Sequence, residues 1–320
     1  MKDQFQREIK YLRISITERC NLKCIYCSPG EGEDCKEEKT RYLTPSEIEL
    51  VVRSMAKVGI SKVRITGGEP LIRNDVCEII ERVASVSGIE DISLTTNGIK
   101  LDKMAEGLKK AGLNRLNISL DSLNEERFSY ITGGGKLKNT LKGIEKSLEL
   151  GLQPVKINTV LVKGINDSEI ESFIELTKDR PIEVRFIELM PIGKFGEENS
   201  DKIIANEQII KAHPQFIYDG KSNCGQPATY YTIEGYKGKI GFISPMSHKF
   251  CTTCNRVRLT YDGLIKPCLG NNGEIDLLDT IQNHPERLDR EIRQIIFNKP
   301  KGHNFGSDFS SKRNMNTIGG

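Results

Sequence analysis

Along the first 190 residues, short runs in which apolar and polar side chains alternate are each followed by a longer stretch with helical spacing. The alternating runs predict strands over 11–17, 62–66, 91–95, 115–120, 155–160 and 183–188. Helix ends are legible between them. Thr44-Pro45-Ser46-Glu47 reads as a capping box with proline at the first helical position, and Gly59, Gly112 and Gly151 stand where helices should stop. Strand and helix alternating at this spacing argue for six parallel βα units.

A parallel sheet covered by helices on both faces should read as unbroken Val, Ile and Leu. These strands do not. Leu12, Ile14 and Ile16 interleave with Arg13, Ser15 and Thr17, and Val63 and Ile65 with Arg64 and Thr66. The same holds for Leu116 and Ile118 against Arg115, Asn117 and Ser119, for Val155 and Ile157 against Lys156 and Asn158, and for Val184 and Phe186 against Arg185. Successive side chains point to opposite faces, so one face packs on helices while the other is polar and repeatedly cationic. A sheet half exposed to water would also alternate, but it would not account for so many cations. Six units are fewer than the eight that close a barrel. The expected fold is therefore α/β, a partial TIM-type barrel with an open side and a site at its mouth.

The pattern changes after Met190, so residues 1–190 are expected to form the barrel core and 191–320 a C-terminal region covering the open side. That region reads as a polar loop from Gly193 to Lys202, a helix, short strands near 230–233 and 240–243, and a hairpin turn at Asp262-Gly263. From Gly302 to Gly320 its Ser, Asn, Lys and Gly content predicts a flexible tail.

Charge narrows the function. With 47 Lys and Arg against 44 Asp and Glu, the net charge of +3 sets up no global field for nucleic acid or membrane, so any basic function must be local. No run approaches the ~18 apolar residues a membrane span needs, and Met1-Lys2-Asp3-Gln4 lacks the apolar core of a signal peptide. A cytoplasmic enzyme is the expectation. Nine cysteines in that setting point to metal rather than disulfides. Six form two triads, Cys20, Cys24 and Cys27 at the front and Cys251, Cys254 and Cys268 at the back, while Cys35, Cys77 and Cys224 read as ordinary thiols.

The front triad follows the first strand, where such folds place chemistry. Structural zinc takes four protein ligands, and only Cys35 lies near enough to be a fourth. A cubane iron-sulfur cluster on three thiolates would instead leave one iron open to a ligand. At the back, zinc stays open as well, because His248 would complete a Cys3His set. Arg256 and Arg258, alternate residues of one strand, would put two guanidinium forks beside that metal.

Cys20-x3-Cys24-x2-Cys27 with Tyr26 resembles the signature of the radical S-adenosylmethionine (SAM) superfamily, and Gly67-Gly68-Glu69-Pro70 resembles its loop for the methionine amino group. In that superfamily a reduced cluster cleaves SAM to methionine and a 5′-deoxyadenosyl radical. The block from Cys251 to Gly263 with Cys268-Leu269, the Ile118-Ser119-Leu120-Asp121 run and the terminal Met315-Asn316-Thr317-Ile318-Gly319-Gly320 resemble one branch nearly end to end, the GTP 3′,8-cyclase family. Ser28 and Asn316 are small departures from its pattern.

The resemblance implies a lyase that converts GTP to (8S)-3′,8-cyclo-7,8-dihydroguanosine 5′-triphosphate, the first step of molybdenum cofactor biosynthesis. It implies two 4Fe–4S clusters, one on each triad. Tyr26, Gly68, Ser119 and Met190 would contact SAM, and Arg13, Arg64, Thr95, Lys156, Arg185, Arg256, Val257 and Arg258 would contact GTP. Gly319 and Gly320 would reach into the site. No acid–base dyad is expected, since hydrogen abstraction from C3′ and attack on C8 depend on position. Implied partners are GTP, a one-electron reductant and the next pathway enzyme, cyclic pyranopterin monophosphate synthase; a homodimer is compatible, while membrane and nucleic acid are not expected. Rival readings are a related radical enzyme acting on peptide or RNA, and a non-catalytic zinc module.

Overall fold

The computed structural model describes residues 1–27, 41–220, 225–303, 305 and 313–319. Ser28, Cys35, Cys224 and Gly320 lie outside them. Six strands run in chain order: β1 (Tyr11–Ser15), β2 (Lys62–Thr66), β3 (Asp91–Thr96), β4 (Arg115–Ser119), β5 (Val155–Leu161) and β6 (Ile182–Glu188). Each pairs in parallel with the next. Helices α1 (Pro45–Lys57), α2 (Val76–Ala84), α3 (Leu101–Lys110), α4 (Glu125–Thr132), α5 (Leu137–Glu149) and α6 (Ile170–Glu175) make the crossovers, with short 3₁₀ turns beside α2 and α6. Right-handed crossovers between strands in sequential order put the helices on one face.

Local chemistry sets the element ends. Thr44 Oγ1 accepts from the Glu47 N–H at 3.2 Å and the Glu47 carboxylate accepts from the Thr44 N–H at 2.8 Å, a reciprocal cap that starts α1 at Pro45. Gly59 and Gly112 follow the ends of α1 and α3 with φ of +96° and +105°, a conformation costly for any residue with a Cβ. The covered face is apolar: Leu12, Ile14, Val63, Ile65, Leu94, Leu116, Ile118, Val155, Ile157, Val184 and Phe186 are buried against helix residues such as Ile48, Val52, Ile79, Leu108 and Ile144. Each such side chain removed from water stabilises the fold by roughly 1.5–3 kcal/mol before entropy is counted.

The chain after Met190 does more than cover an opening. Its strands β7 (Ile217–Tyr218), β8 (Ala228–Thr232), β9 (Lys239–Ile243), β10 (Arg256–Leu259), β11 (Leu264–Lys266) and β12 (Ile275–Asp276) extend the sheet at both edges. β9 joins β6 and β10 joins β1, both in parallel, giving the order β12-β11-β10-β1-β2-β3-β4-β5-β6-β9-β8-β7. On a flat sheet β10 and β6 would stand about 29 Å apart, six strand spacings of ~4.8 Å. Yet Arg256 and Arg185 line one cavity of ≈ 210 Å³, so the sheet curls round its polar face. Among the described residues β7 and β12 remain as edges, and the barrel is partial.

The expected flexible tail is corrected in part. Met315–Ile318 forms a helical turn, with Ile318 buried and the Ile318 carbonyl accepting from Arg258 at 3.0 Å. An apolar anchor and a charged donor fix what composition alone suggested would fray. No helix among the described residues is long and apolar enough to cross a membrane.

Candidate active site

Cys20, Cys24 and Cys27 sit on the loop after β1. That loop is pinned to the end of α4 by the Lys23 and Ile25 N–H groups, which donate to Thr132 and Ile131 carbonyls at 2.9 Å. The three thiols line a cavity of ≈ 180 Å³ together with Tyr26, Gly68, Ser119, Met190 and Asp121. Gly67 and Gly68 allow the loop after β2 to lie directly on the chain leading to Cys20: a Cβ at Gly68 would stand 2.2 Å from the Arg19 carbonyl oxygen. Glu69 is buried and fully used, its oxygens accepting from Leu71 N–H (3.0 Å), Thr96 Oγ1 (2.7 Å) and Asn97 N–H (2.7 Å). Its carboxylate thus shapes the loop. Tyr26 donates its hydroxyl to Asp121, whose other oxygen accepts from the Val160 N–H at 2.7 Å.

Among the described residues no lysine or arginine lines this cavity, which instead includes Asp121 and Glu188. Burial pushes the Asp121 carboxyl up to about 6, against the hydrogen bonds from Tyr26 and Val160. Burial also raises the Cys24 thiol far above its ordinary range, helped by Cys27 and Asp121, and raises Cys27 to about 12. Thiols that repel as thiolates fit a site whose positive charge comes from metal. Among the described residues no three His, Cys, Asp or Glu side chains are gathered tightly enough for a single ion. A cluster, which presents a different iron to each thiolate, does not require that.

The back triad is built differently. Cys251 starts a single 3₁₀ turn, Cys254 precedes β10, and Cys268 follows β11. The antiparallel register Arg258↔Lys266, continued two residues, sets Cys268 beside Arg256 and hence near Cys254. All three thiols line the ≈ 210 Å³ cavity with Arg13, Arg64, Arg185, Arg256, Arg258 and Lys299, and with no carboxylate among the described residues. Here burial would raise Cys254, but Lys299, Arg256 and Arg7 outweigh it and the thiol falls below its ordinary value. Lys299 is 1% exposed and donates to the Pro267 carbonyl. Arg7, ion-paired to Asp3 at 2.6 Å, donates to the carbonyls of Cys251 (3.0 Å), Pro300 (2.6 Å) and Lys301 (2.9 Å). Neither Arg7 nor Lys299 carried a sequence signal; only the fold brings them to the triad. His248 is exposed and does not line the cavity, which His303 lines instead.

The cations form ladders. Arg258, Arg13 and Arg64 are register partners across β10, β1 and β2, and they point inward side by side. Burial and then the neighbouring arginines hold Arg13 well below its usual range, and burial lowers Arg64 and Arg258 to about 10. Among the described residues Arg64, Arg185, Arg256 and Arg258 pair with no carboxylate. Arg185 donates to Asn117 at 2.5 Å, Arg256 to the Gly225 carbonyl at 2.7 Å and Arg258 to the carbonyls of Ile318 and Gly319. Farther along the barrel a ≈ 600 Å³ cavity is lined by eight Lys and Arg, among them Lys156, against Asp91, Glu183 and Asp219. Lys156 pairs with Glu183 and donates to the Tyr230 hydroxyl at 3.0 Å. Burial, then Arg185, lowers its ammonium to about 8 despite Glu183.

Two of the expected GTP contacts, Thr95 and Val257, do not line these two cavities. Thr95 lines the front cavity, with a buried hydroxyl lacking a partner, and the Val257 side chain is in the apolar core, leaving only its main chain toward any ligand. Gly319 lies against β2, where a Cβ would stand 2.4 Å from Thr66 Cγ2. Cys77 packs near Gly107 on the helical layer.

A model of the Radical SAM superfamily matches residues 14–177, and one described as Molybdenum Cofactor Synthesis C matches residues 182–305. The GTP 3′,8-cyclase of Alkaliphilus oremlandii (strain OhILAs) is 49% identical over 322 residues, covering 100% of both chains. This chain belongs to the GTP 3′,8-cyclase family. Another member of the family, from Clostridium botulinum (strain Langeland / NCTC 10281 / Type F), is 48% identical, again over 100% of both chains. Among solved structures, Streptococcus suis SuiB bound to S-adenosylmethionine matches with a TM-score of 0.59 at 17% identity, covering 89% of this chain and 68% of that one. At that identity the likeness speaks for the radical SAM fold alone. For a GTP 3′,8-cyclase family chain, the carboxylate-lined front and the cation-lined interior make chemically distinct sites.

Proposed function

We propose that this chain is a cytoplasmic enzyme that converts GTP to 3′,8-cyclo-7,8-dihydroguanosine triphosphate, the entry reaction of molybdenum cofactor biosynthesis. Cys20, Cys24 and Cys27 would hold one 4Fe–4S cluster and Cys251, Cys254 and Cys268 a second. Bound at the front, a reduced cluster supplies the electron that cleaves SAM. The observation that carries this reading is the division of charge among the described residues: carboxylates and no cations line the front, where a sulfonium would sit, whereas six cations and no carboxylate line the back-triad cavity, and eight Lys and Arg against three carboxylates line the cavity beyond it, where a nucleoside triphosphate would sit. In a cavity shielded from bulk water, such charges act strongly on a ligand.

The chain's own work is placement. Asn158, Ile187, Met190 and Met315 line both cavities, so the two co-substrates would meet there. Holding C3′ of the ribose against the adenosyl carbon on one side and near purine C8 on the other supplies most of what such a reaction asks of a protein. The apolar wall of Phe250, Pro245, Leu269 and Phe305 suits the base, and the cations from Arg64 to Lys156 suit the phosphates. The reductant would be a one-electron donor, and the product would pass to cyclic pyranopterin monophosphate synthase.

The test is anaerobic incubation of reconstituted protein with dithionite, SAM and GTP, followed by mass spectrometry. The expected result is 5′-deoxyadenosine together with a cyclised GTP isomer. 5′-Deoxyadenosine with untouched GTP would contradict the substrate assignment.

A further inference from the structure

Gly241 sits in the middle of β9, with Arg185 of β6 and Tyr230 of β8 as its register partners on either side. A Cβ there would stand 2.9 Å from Tyr230 Cε1 and 2.9 Å from Arg185 Cγ, so glycine is needed for space rather than for an unusual φ. With no side chain in the way the tyrosine ring lies across β9. Its hydroxyl reaches Lys156 on β5, three strands away in the order β5-β6-β9-β8. Lys156 donates to that hydroxyl at 3.0 Å and also to the Glu183 carboxylate of β6. The phenol in turn bonds to Glu183, with Arg185 beside its oxygen. Against the push of burial, Lys156 holds Glu183 below the usual carboxylate range, so the carboxylate accepts and the phenol donates. Lysine, glutamate and tyrosine thus close a triangle in which Lys156 and Tyr230 are each 8% exposed. An ammonium has three N–H groups; two are held in the triangle, and the third is left to the ≈ 600 Å³ cavity that all three residues line.

Resting on the reading of the site given above, we propose that Tyr230 is a positioning residue for nucleotide binding: it holds Lys156 and Glu183 in one arrangement, so that the ammonium meets the phosphates of GTP already oriented. A free lysine loses rotamer freedom when a ligand fixes it, whereas one held in the triangle has lost that freedom on folding. The hydroxyl also accepts from the charged form of Lys156 and so favours it. That support matters because other charges crowd the site. Burial, then Arg185 of β6, works against the ammonium, and Arg115 of β4 adds to them. Arg115 is paired with Asp91 of β3, and Lys239 of β9 with Asp219 at 2.9 Å, which leaves Glu183 and Tyr230 to hold Lys156. Since its own O–H is committed to Glu183, Tyr230 acts on a ligand through Lys156.

The experiment uses the anaerobically reconstituted holoprotein, wild type and with Tyr230→Phe, Lys156→Met or both. Equilibrium affinities for GTP and SAM are measured from below to above pH ~8, where Lys156 titrates. Tyr230→Phe keeps the ring in its seat and removes only the hydroxyl. It should bind GTP about three- to tenfold more weakly and SAM within about twofold of wild type. Its GTP affinity should also begin to decline at lower pH, because an ammonium that has lost an acceptor gives up its proton more readily. In the Lys156→Met background, where there is no ammonium to position, adding Tyr230→Phe should change GTP affinity by less than about twofold. Unchanged affinity and pH profile in Tyr230→Phe would overturn the inference. So would an equal loss in both backgrounds with the profile unmoved, which would make the tyrosine structural. A wild-type protein that does not bind GTP would overturn the underlying functional reading first, and the inference with it.

Discussion

Cys24 and Cys254 are each the middle cysteine of a three-thiol set, yet their surroundings act on them in opposite directions. At the front, burial is reinforced by Cys27 and Asp121, and the Cys24 thiol is raised far out of its range. At the back, burial is overcome by Lys299, Arg256 and Arg7, and Cys254 is lowered. Spacing gives both triads the same chemistry on paper; charge gives them different surroundings. On the proposed reading, a front lined by Asp121 and Glu188 would favour the cationic sulfonium and ammonium of SAM, and an interior lined by arginines would favour a triphosphate.

The largest effects should come from removing a triad outright. Cys24→Ala should reduce 5′-deoxyadenosine formation to background while the back site keeps its iron. Cys268→Ala should do the reverse, abolishing the cyclised nucleotide while SAM cleavage survives; parallel loss of both products in the second variant would erase the distinction. Iron analysis and product mass spectrometry read both.

Next in size is the arginine ladder. Arg64 has no carboxylate partner among the described residues, so Arg64→Ala should weaken GTP binding about 10- to 100-fold, the worth of one or two charge-assisted hydrogen bonds. SAM affinity should stay within about twofold. Asp121→Asn should do the opposite on a smaller scale, weakening SAM several-fold by removing a negative charge and disturbing Tyr26, with GTP binding unaffected.

The smallest effect is a pH dependence confined to the interior. Lys156 titrates near 8 in the free protein, and a triphosphate would raise that value. A group whose pKa rises on binding contributes fully below its free value and loses that contribution as pH climbs through it. GTP affinity should therefore decline above pH ~8, and Lys156→Arg, which stays charged, should flatten the decline. A profile unchanged by the substitution would show that Lys156 does not titrate against the ligand.

Much of this arrangement was legible in the residues because it follows period and local chemistry. The alternation in the six strands placed β1 to β6 within a residue or two, and the Thr44 cap and the glycines marked helix ends. Shared parity put Arg13, Arg64, Lys156 and Arg185 on the inner face, and the structure lines the interior with all four. What remained hidden depends on closure of the sheet. Nothing in Arg7 or Lys299 announces a metal-site neighbour, since 244 and more residues separate Arg7 from the carbonyls it holds. His248 looked well spaced for zinc, but spacing does not fix direction, and the residue faces solvent. Thr95 shares the inward parity of its strand yet sits one layer nearer the front cavity, a distinction that period two cannot draw. The C-terminal strands read as a separate cover because parallel pairing with β1 and β6 is non-local.

The most direct test of the division between front and back removes the front triad entirely. A Cys20→Ala, Cys24→Ala, Cys27→Ala variant, reconstituted anaerobically and reduced, is titrated with GTP and then with SAM while its electron paramagnetic resonance spectrum is recorded. A cluster signal should remain, shift with GTP and ignore SAM. A signal that shifts with SAM instead, or a back site that holds zinc and gives no signal, would contradict the assignment.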